Sequence, residues 1–136
     1  MKRSIEGGCA CGAVRYRIES DPISMLKCHC RDCQRASGGG YSTFLGFHKD
    51  FVHVRGKPRF HRTKGESGQS VERGFCGDCG NPVISKVQRL PDFMLVQAAS
   101  LDDPSMFNPS MELFVGSAWP WDVLHPDTKK FSKGRS

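Results

Sequence analysis

Cys76-Gly77-Asp78-Cys79-Gly80 lies between two runs of strand-forming residues, Ser70 to Phe75 and Val83 to Val87, and this placement decides how the chain is read. Cys-x-x-Cys spacing lets a tight turn aim two thiolates at one metal ion, while small neighbours leave backbone amides free to bond sulfur. A redox dithiol of the thioredoxin kind would stand instead at a helix start in a βαβ unit. The site needs two more ligands. Cys9-Ala10-Cys11, flanked by Gly7, Gly8 and Gly12, is the other thiol pair, with glycines that permit close backbone approach. Cys9, Cys11, Cys76 and Cys79 thus read as a closed structural zinc site. Its closure would tie the start of the chain to its later half across roughly sixty residues.

Working outward, the other three cysteines fall in Cys28-His29-Cys30-Arg31-Asp32-Cys33. Six residues can wrap three sulfurs around one ion. Three protein ligands leave a position for water or substrate, which is the arrangement of catalytic zinc. In extended backbone the His29 side chain points away from those of Cys28 and Cys30, so His29 is not counted as a ligand. Asp32 could orient a ligand. A metal-free, redox-active trio beside Arg31 and Arg35 is the competing reading. His48, His53, His61 and His125 are isolated and read as strand-face or surface residues.

Between the cysteine motifs the chain reads as seven to nine short strands. Val14, Tyr16 and Ile18 alternate with Arg15 and Arg17 as in a strand with one buried face. Tyr41 to Phe47, Phe93 to Ala99 and Leu113 to Val115 supply further strands, and Phe51 to Arg55 with Arg59 to His61 predicts a hairpin turning at Gly56-Lys57-Pro58. The one helical candidate is Arg31 to Ala36, ended by Gly38-Gly39-Gly40. Thr63 to Gln69 has no apolar residue and reads as a mobile surface loop, as does the basic tail of Lys129, Lys130, Lys133 and Arg135.

Length and composition agree with this picture. A 136-residue chain with 38% hydrophobic and 25% charged residues is of single-domain, globular character, and 15 Gly with 8 Pro imply many turns, as in β proteins. No apolar run of signal-peptide length follows the opening MKRSIEGGCACG, and no stretch approaches the ~18 apolar residues of a membrane span. The expected location is the cytoplasm, where disulfides rarely persist and an odd count of seven cysteines suits metal ligands or catalytic thiols. The formal charge of +6 suggests nucleic acid, but seven thiolates on two zinc ions would bring it to +3. Basic residues are also not interleaved with aromatic ones, which argues against a nucleic-acid groove.

Three stretches taken together, Gly7 to Tyr16, Cys28 to Gly39 and Arg73 to Gly80, closely resemble in order and spacing the glutathione-dependent formaldehyde-activating enzyme family, which includes centromere protein V. The likeness runs from about Gly7 to Phe131, and residues 1–136 read as a single zinc-binding domain of that type. The resemblance implies a mainly β protein with little helix: a β-tent fold of short antiparallel sheets organised around the structural zinc. It also implies a catalytic zinc on Cys28, Cys30 and Cys33. The activity implied is that of a carbon-sulfur lyase, joining glutathione and formaldehyde into S-hydroxymethylglutathione and reversing that reaction. Gln34, Arg35 and Ser37 are carried over as residues that shape the pocket, with capping and packing of a short helix as their other reading. Glu112 stands where the family often has His. Two readings compete with the lyase: a non-catalytic zinc module that binds nucleic acid or another partner, and a redox or metal-handling thiol protein.

Overall fold

A computed structural model describes residues 4–65 and 68–134 of the chain. In chain order its strands are β1 (Ile5–Gly8), β2 (Arg15–Ile18), β3 (Ser24–Cys28), β4 (Ser42–His48), β5 (Val52–Arg55), β6 (Arg59–Lys64), β7 (Ser70–Phe75), β8 (Pro82–Val87), β9 (Phe93–Gln97), β10 (Met111–Leu113) and β11 (Lys129–Lys130). A single α-helix, α1 (Arg31–Ser37), stands between β3 and β4, and short 3-10 turns fill several connections. The fold is mainly β, as expected, with eleven strands among the described residues rather than seven to nine. No helix among them is long and apolar enough to cross a membrane.

The strands form two sheets. One has three strands in the order β1-β2-β5, and the other has eight in the order β11-β10-β3-β4-β9-β8-β7-β6. Pairing is antiparallel except where β10 runs parallel to both β3 and β11. The alternation in β2 does what its pattern predicts: Val14, Tyr16 and Ile18 are buried, and Ile18 faces Ile5 across the pair.

Period-2 alternation along the central strands divides the apolar residues between two clusters. Leu45 and Phe47 of β4, with Val96 of β9, pack with Tyr16, Val83 and Ile84 around Cys9 and Cys76. Their neighbours Phe44 and Leu95 turn to a smaller cluster around Cys28 and Cys33, together with Leu26 and Leu113. The large sheet therefore carries one cysteine group on each side of its middle. Burying a side chain of this size contributes roughly 1.5–3 kcal/mol, so the strand interiors hold both groups firmly in place.

Four sequence expectations need correction. The hairpin at Phe51 to His61 does not form: β5 pairs with β2, Val54 opposite Tyr16, while β6 pairs with β7, Phe60 opposite Gly74. The turn at Gly56-Lys57-Pro58 instead carries the chain from one sheet to the other. Val52 can be buried only beside Ile18, whereas β6 is exposed along nearly its whole length and serves as a sheet edge. The strand expected at Leu113 to Val115 stops at Leu113, because Phe114 takes a left-handed φ of 56°.

The basic tail is not a loose end where it is described. Lys129 and Lys130 pair with Met111 and Glu112, and Lys130 Nζ donates to the His125 carbonyl at 2.6 Å. Arg135 lies outside the described residues. In the expected Thr63 to Gln69 loop, Thr63 and Lys64 belong to β6 opposite Val71 and Ser70, and the Gly65 amide donates to the Gln69 carbonyl. Glu66 and Ser67 lie outside the described residues.

Candidate functional site

The sulfurs of Cys9, Cys11, Cys76 and Cys79 converge so that all lie within 4.8 Å of one another. Cys9 Sγ is 3.7 Å from Cys11 Sγ, and Cys11 Sγ is 3.6 Å from Cys76 Sγ. These spacings are far longer than a disulfide bond, and all seven cysteines are free. They match the edge of a tetrahedron of sulfurs at about 2.3 Å from zinc, which is about 3.8 Å. The donor set fits the ion.

Local backbone explains how the loops achieve this. The Val14 amide donates to Cys9 Sγ at 3.3 Å, and the Asp78 and Cys79 amides point at Cys76 Sγ at 3.4 and 3.5 Å. Gly80, at a φ of 78°, closes the second turn in a conformation that a side chain would resist. Asn81 joins the two loops by accepting from the Ala10 amide at 2.8 Å. The Val14 amide holds the Cys9 thiol down to about 6, and a backbone hydrogen bond at Asn81 lowers that of Cys79. Thiolate charge is thus favoured at Cys9 and Cys79, while hydrogen bonds with the Cys76 and Cys9 thiols push Cys11 up to about 12.

The second group is local. Cys28 ends β3, Cys30 is the N-cap of α1 and accepts from the Cys33 amide at 3.4 Å, and Cys33 lies in the helix; their sulfurs also fall within 4.8 Å of one another. The helix spans Arg31–Ser37 and ends at Gly38, close to the sequence expectation. Hydrogen bonds from the Cys28 and Cys33 thiols push Cys30 down, and the reciprocal contacts together with burial push Cys28 up, so the first proton leaves readily, the others are held, and the steps belong to the trio and not to any one thiol. Arg73 Nη2 approaches Cys33 Sγ at 3.6 Å. Three thiolate donors in six residues, backed by a guanidinium, fit a divalent ion with one position free of protein ligands.

His29 is not a fourth ligand. Its ring is fully buried, with Nδ1 2.8 Å from Asp122 Oδ2 and Nε2 2.8 Å from Glu112 Oε1. Each ring nitrogen thus has a carboxylate oxygen as its partner. Glu112 Oε2 also accepts from Thr128 Oγ1 at 2.5 Å and from the His125 amide at 3.1 Å. Burial works to raise the Glu112 carboxyl, but these hydrogen bonds and that from His29 outweigh it and hold it below the ordinary glutamate range.

The residues carried over with the helix go to different places. Gln34 is buried, and its Nε2 donates to the His29 and Ser117 carbonyls while its Oε1 accepts from Arg31 and from Trp119 Nε1. Ser37 Oγ donates to the Tyr41 carbonyl at 2.7 Å. Arg35, in contrast, lines a cavity of about 380 Å³ with Asp32, His61, Thr63, Arg73 and Gln97. Arg73 stands between this cavity and Cys33, its Nη1 donating to Thr63 Oγ1 at 3.0 Å. The β7 sequence gave Arg73 no role because its partner is forty positions away. A smaller depression of about 250 Å³ on the three-stranded sheet is lined by no cysteine, and three of its cationic side chains have carboxylate partners: Arg15 with Asp102, Arg17 and His53 with Glu19.

Comparison with known proteins bears on the same residues. A crystal structure of a Rhodobacter sphaeroides protein superposes with a TM-score of 0.59 at 18% identity, covering 93% of this chain and 98% of that one, which shows a shared fold. A Halomonas elongata protein named "Putative glutathione-dependent formaldehyde-activating enzyme" is 32% identical over 103 residues, 72% of this chain. The match spans 66% of that relative, just under two thirds of its length. The family model described as glutathione-dependent formaldehyde-activating enzyme matches residues 4–117, a span that contains all seven cysteines, Arg73 and Glu112. The chain belongs to the glutathione-dependent formaldehyde-activating enzyme family.

Proposed function

We propose that this protein is a zinc-dependent carbon-sulfur lyase that joins a small thiol, such as glutathione, to an aldehyde, such as formaldehyde, and reverses the reaction. The observation that carries this reading is a three-sulfur group with an open position, set beside a cavity large enough for a small thiol and sharing Arg73 with it. Cys9, Cys11, Cys76 and Cys79 would hold a structural zinc, and Cys28, Cys30 and Cys33 the working one. Zinc at the second site would supply Lewis acidity that favours a substrate thiolate and polarises a carbonyl oxygen.

The forward reaction forms one carbon-sulfur bond: the thiol sulfur adds to the aldehyde carbon, the carbonyl π pair moves to oxygen, and the thiol proton ends on that oxygen as the hydroxymethyl product. The chain's residues position and balance charge. Arg73 offers a fixed cation beside the sulfurs, where negative charge passes from thiolate to developing alkoxide. Arg35, exposed at the cavity, can meet a substrate carboxylate, as glutathione would present. Phe75, Pro82 and Ala36 give the cavity apolar walls that limit water. A reducing compartment such as the cytoplasm suits seven free thiols.

Exchange NMR of glutathione with formaldehyde tests the reading directly. Interconversion with the hydroxymethyl adduct should be faster with the zinc-loaded protein than without it, and an unchanged spontaneous rate ends the named reaction.

A further inference from the structure

His29 separates two of the three sulfurs in sequence, yet its ring is directed into a different polar group. We propose that Glu112 and Asp122 hold His29 as a positioning clamp for the three-cysteine site, so that the chain's C-terminal segment is part of that metal centre. The inference rests on a metal at Cys28, Cys30 and Cys33, and not on the thiol-aldehyde reaction.

Both ends of the clamp are anchored. Glu112 sits in β10, whose Leu113 lies opposite Cys28, and the Leu113 carbonyl accepts from the His29 amide at 2.9 Å. Its second carboxylate oxygen is held by Thr128 and the His125 amide, so the tail around β11 fixes the rotamer that reaches His29. Asp122 comes from the other side. A Cβ on Gly40 would lie 2.9 Å from its carboxylate, so a glycine just past α1 is what leaves room for it. The Asp122 amide donates to the Trp119 carbonyl, and Trp119 in turn donates to Gln34, which holds the His29 carbonyl.

Backbone and ring of His29 are thereby fixed at four points: amide, carbonyl and both ring nitrogens. Because the Cys28 and Cys30 side chains leave the chain immediately on either side, fixing His29 fixes the distance and direction of two ligand sulfurs. Asp122, His125 and Thr128 lie beyond residue 117, where the family match ends, so all of this shell but Glu112 and Gln34 comes from a part of the chain that the match does not cover. Outer partners that orient a site typically affect metal affinity about 10- to 100-fold.

The test compares wild type with Asp122→Asn and Glu112→Gln, both close in shape. Each zinc-loaded protein is titrated with a chromophoric chelator, and each cobalt(II)-substituted protein is scanned for its d–d bands. The second ion should leave the variants at about 10- to 100-fold lower chelator concentration, with shifted d–d bands at that site, while the first ion and the far-UV circular dichroism stay as in wild type. If Glu112→Gln does not fold, Asp122→Asn alone decides. Second-site affinity within about twofold of wild type, or an equal loss at both sites, overturns the clamp. A wild-type chain that never takes up a second ion overturns the metal reading and the clamp with it.

Discussion

The two cysteine groups use opposite strategies to reach similar sulfur geometry. The four-cysteine site collects ligands 65 positions apart, Cys11 and Cys76, but needs little from elsewhere: its own turns supply the amides that favour thiolate. The three-cysteine site takes its ligands from six consecutive residues, but the groups that serve it come from afar, with Arg73 forty positions away and Glu112 and Asp122 over eighty from His29. A long-range site built on its own backbone links parts of a fold. A local site surrounded by imported side chains can be tuned without breaking that link, which is what an active centre requires.

The largest effect should therefore come from Cys79→Ser. It removes a ligand from the site that joins the chain's beginning to its later half, where zinc binding is worth on the order of 10 kcal/mol of folding free energy. Loss of soluble protein is expected, read by expression yield and circular dichroism. Cys33→Ser should instead leave a folded protein with one zinc and no thiol-aldehyde chemistry. Native mass spectrometry during chelation should show wild type losing metal in two steps and Cys33→Ser in one. The comparison breaks if Cys33→Ser unfolds as badly as Cys79→Ser, or if Cys79→Ser folds normally and keeps a zinc at the three cysteines.

A smaller change probes the imported side chains. Arg73→Met keeps an unbranched side chain at this position while removing the cation beside Thr63 and Cys33. Hydrogen bonds to charged groups are worth roughly 1.5–3 kcal/mol. With each 1.36 kcal/mol a factor of ten in rate, kcat/KM should fall about 10- to 100-fold while two zinc ions remain bound. An unchanged kcat/KM, measured by the same NMR exchange, would remove Arg73 from the reaction.

What could be read from the sequence follows the same division. The partition of seven cysteines and the helix after Cys30 were legible because spacing and a terminating glycine are local signals. His29 could be set aside as a ligand from the alternation of an extended strand. Glu112 was visible only as a residue out of pattern, since nothing near it in sequence shows that it faces His29. Arg73 opened a stretch that carried the resemblance but had no role there, and Asp122 carried no signal, for the same reason. The hairpin at Phe51 to His61 was misread because both strands and a suitable turn were present; what decided against it was the apolar face of β2, which is remote in sequence from β5. Local chemistry is written in short motifs, and sheet order is not.

The smallest expected effect tests whether reach alone makes a link important. Arg15, in β2 of the three-stranded sheet, and Asp102 form a two-point ion pair at 2.8 and 2.6 Å across 87 positions, a longer reach than the four-cysteine site. Both groups are partly in water, with side-chain exposures of 27% and 53%, so the pair contributes about 0.2–1 kcal/mol after solvent screening. The Arg15 guanidinium holds the Asp102 carboxyl below its ordinary range. A lowered folded-state value means that the contribution is fully present above the ordinary aspartate value near 3.9 and is lost as pH falls through the folded one. Asp102→Asn should thus lower stability by less than about 1 kcal/mol at neutral pH, and the difference from wild type should shrink towards zero below about pH 4. Urea unfolding of the zinc-loaded pair across this range reads both quantities, with metal loss in acid common to the two proteins. A neutral-pH cost of several kcal/mol, approaching that of Cys79→Ser, would mean that sequence reach, and not the strength of metal-thiolate bonding, makes the first site the fold's link.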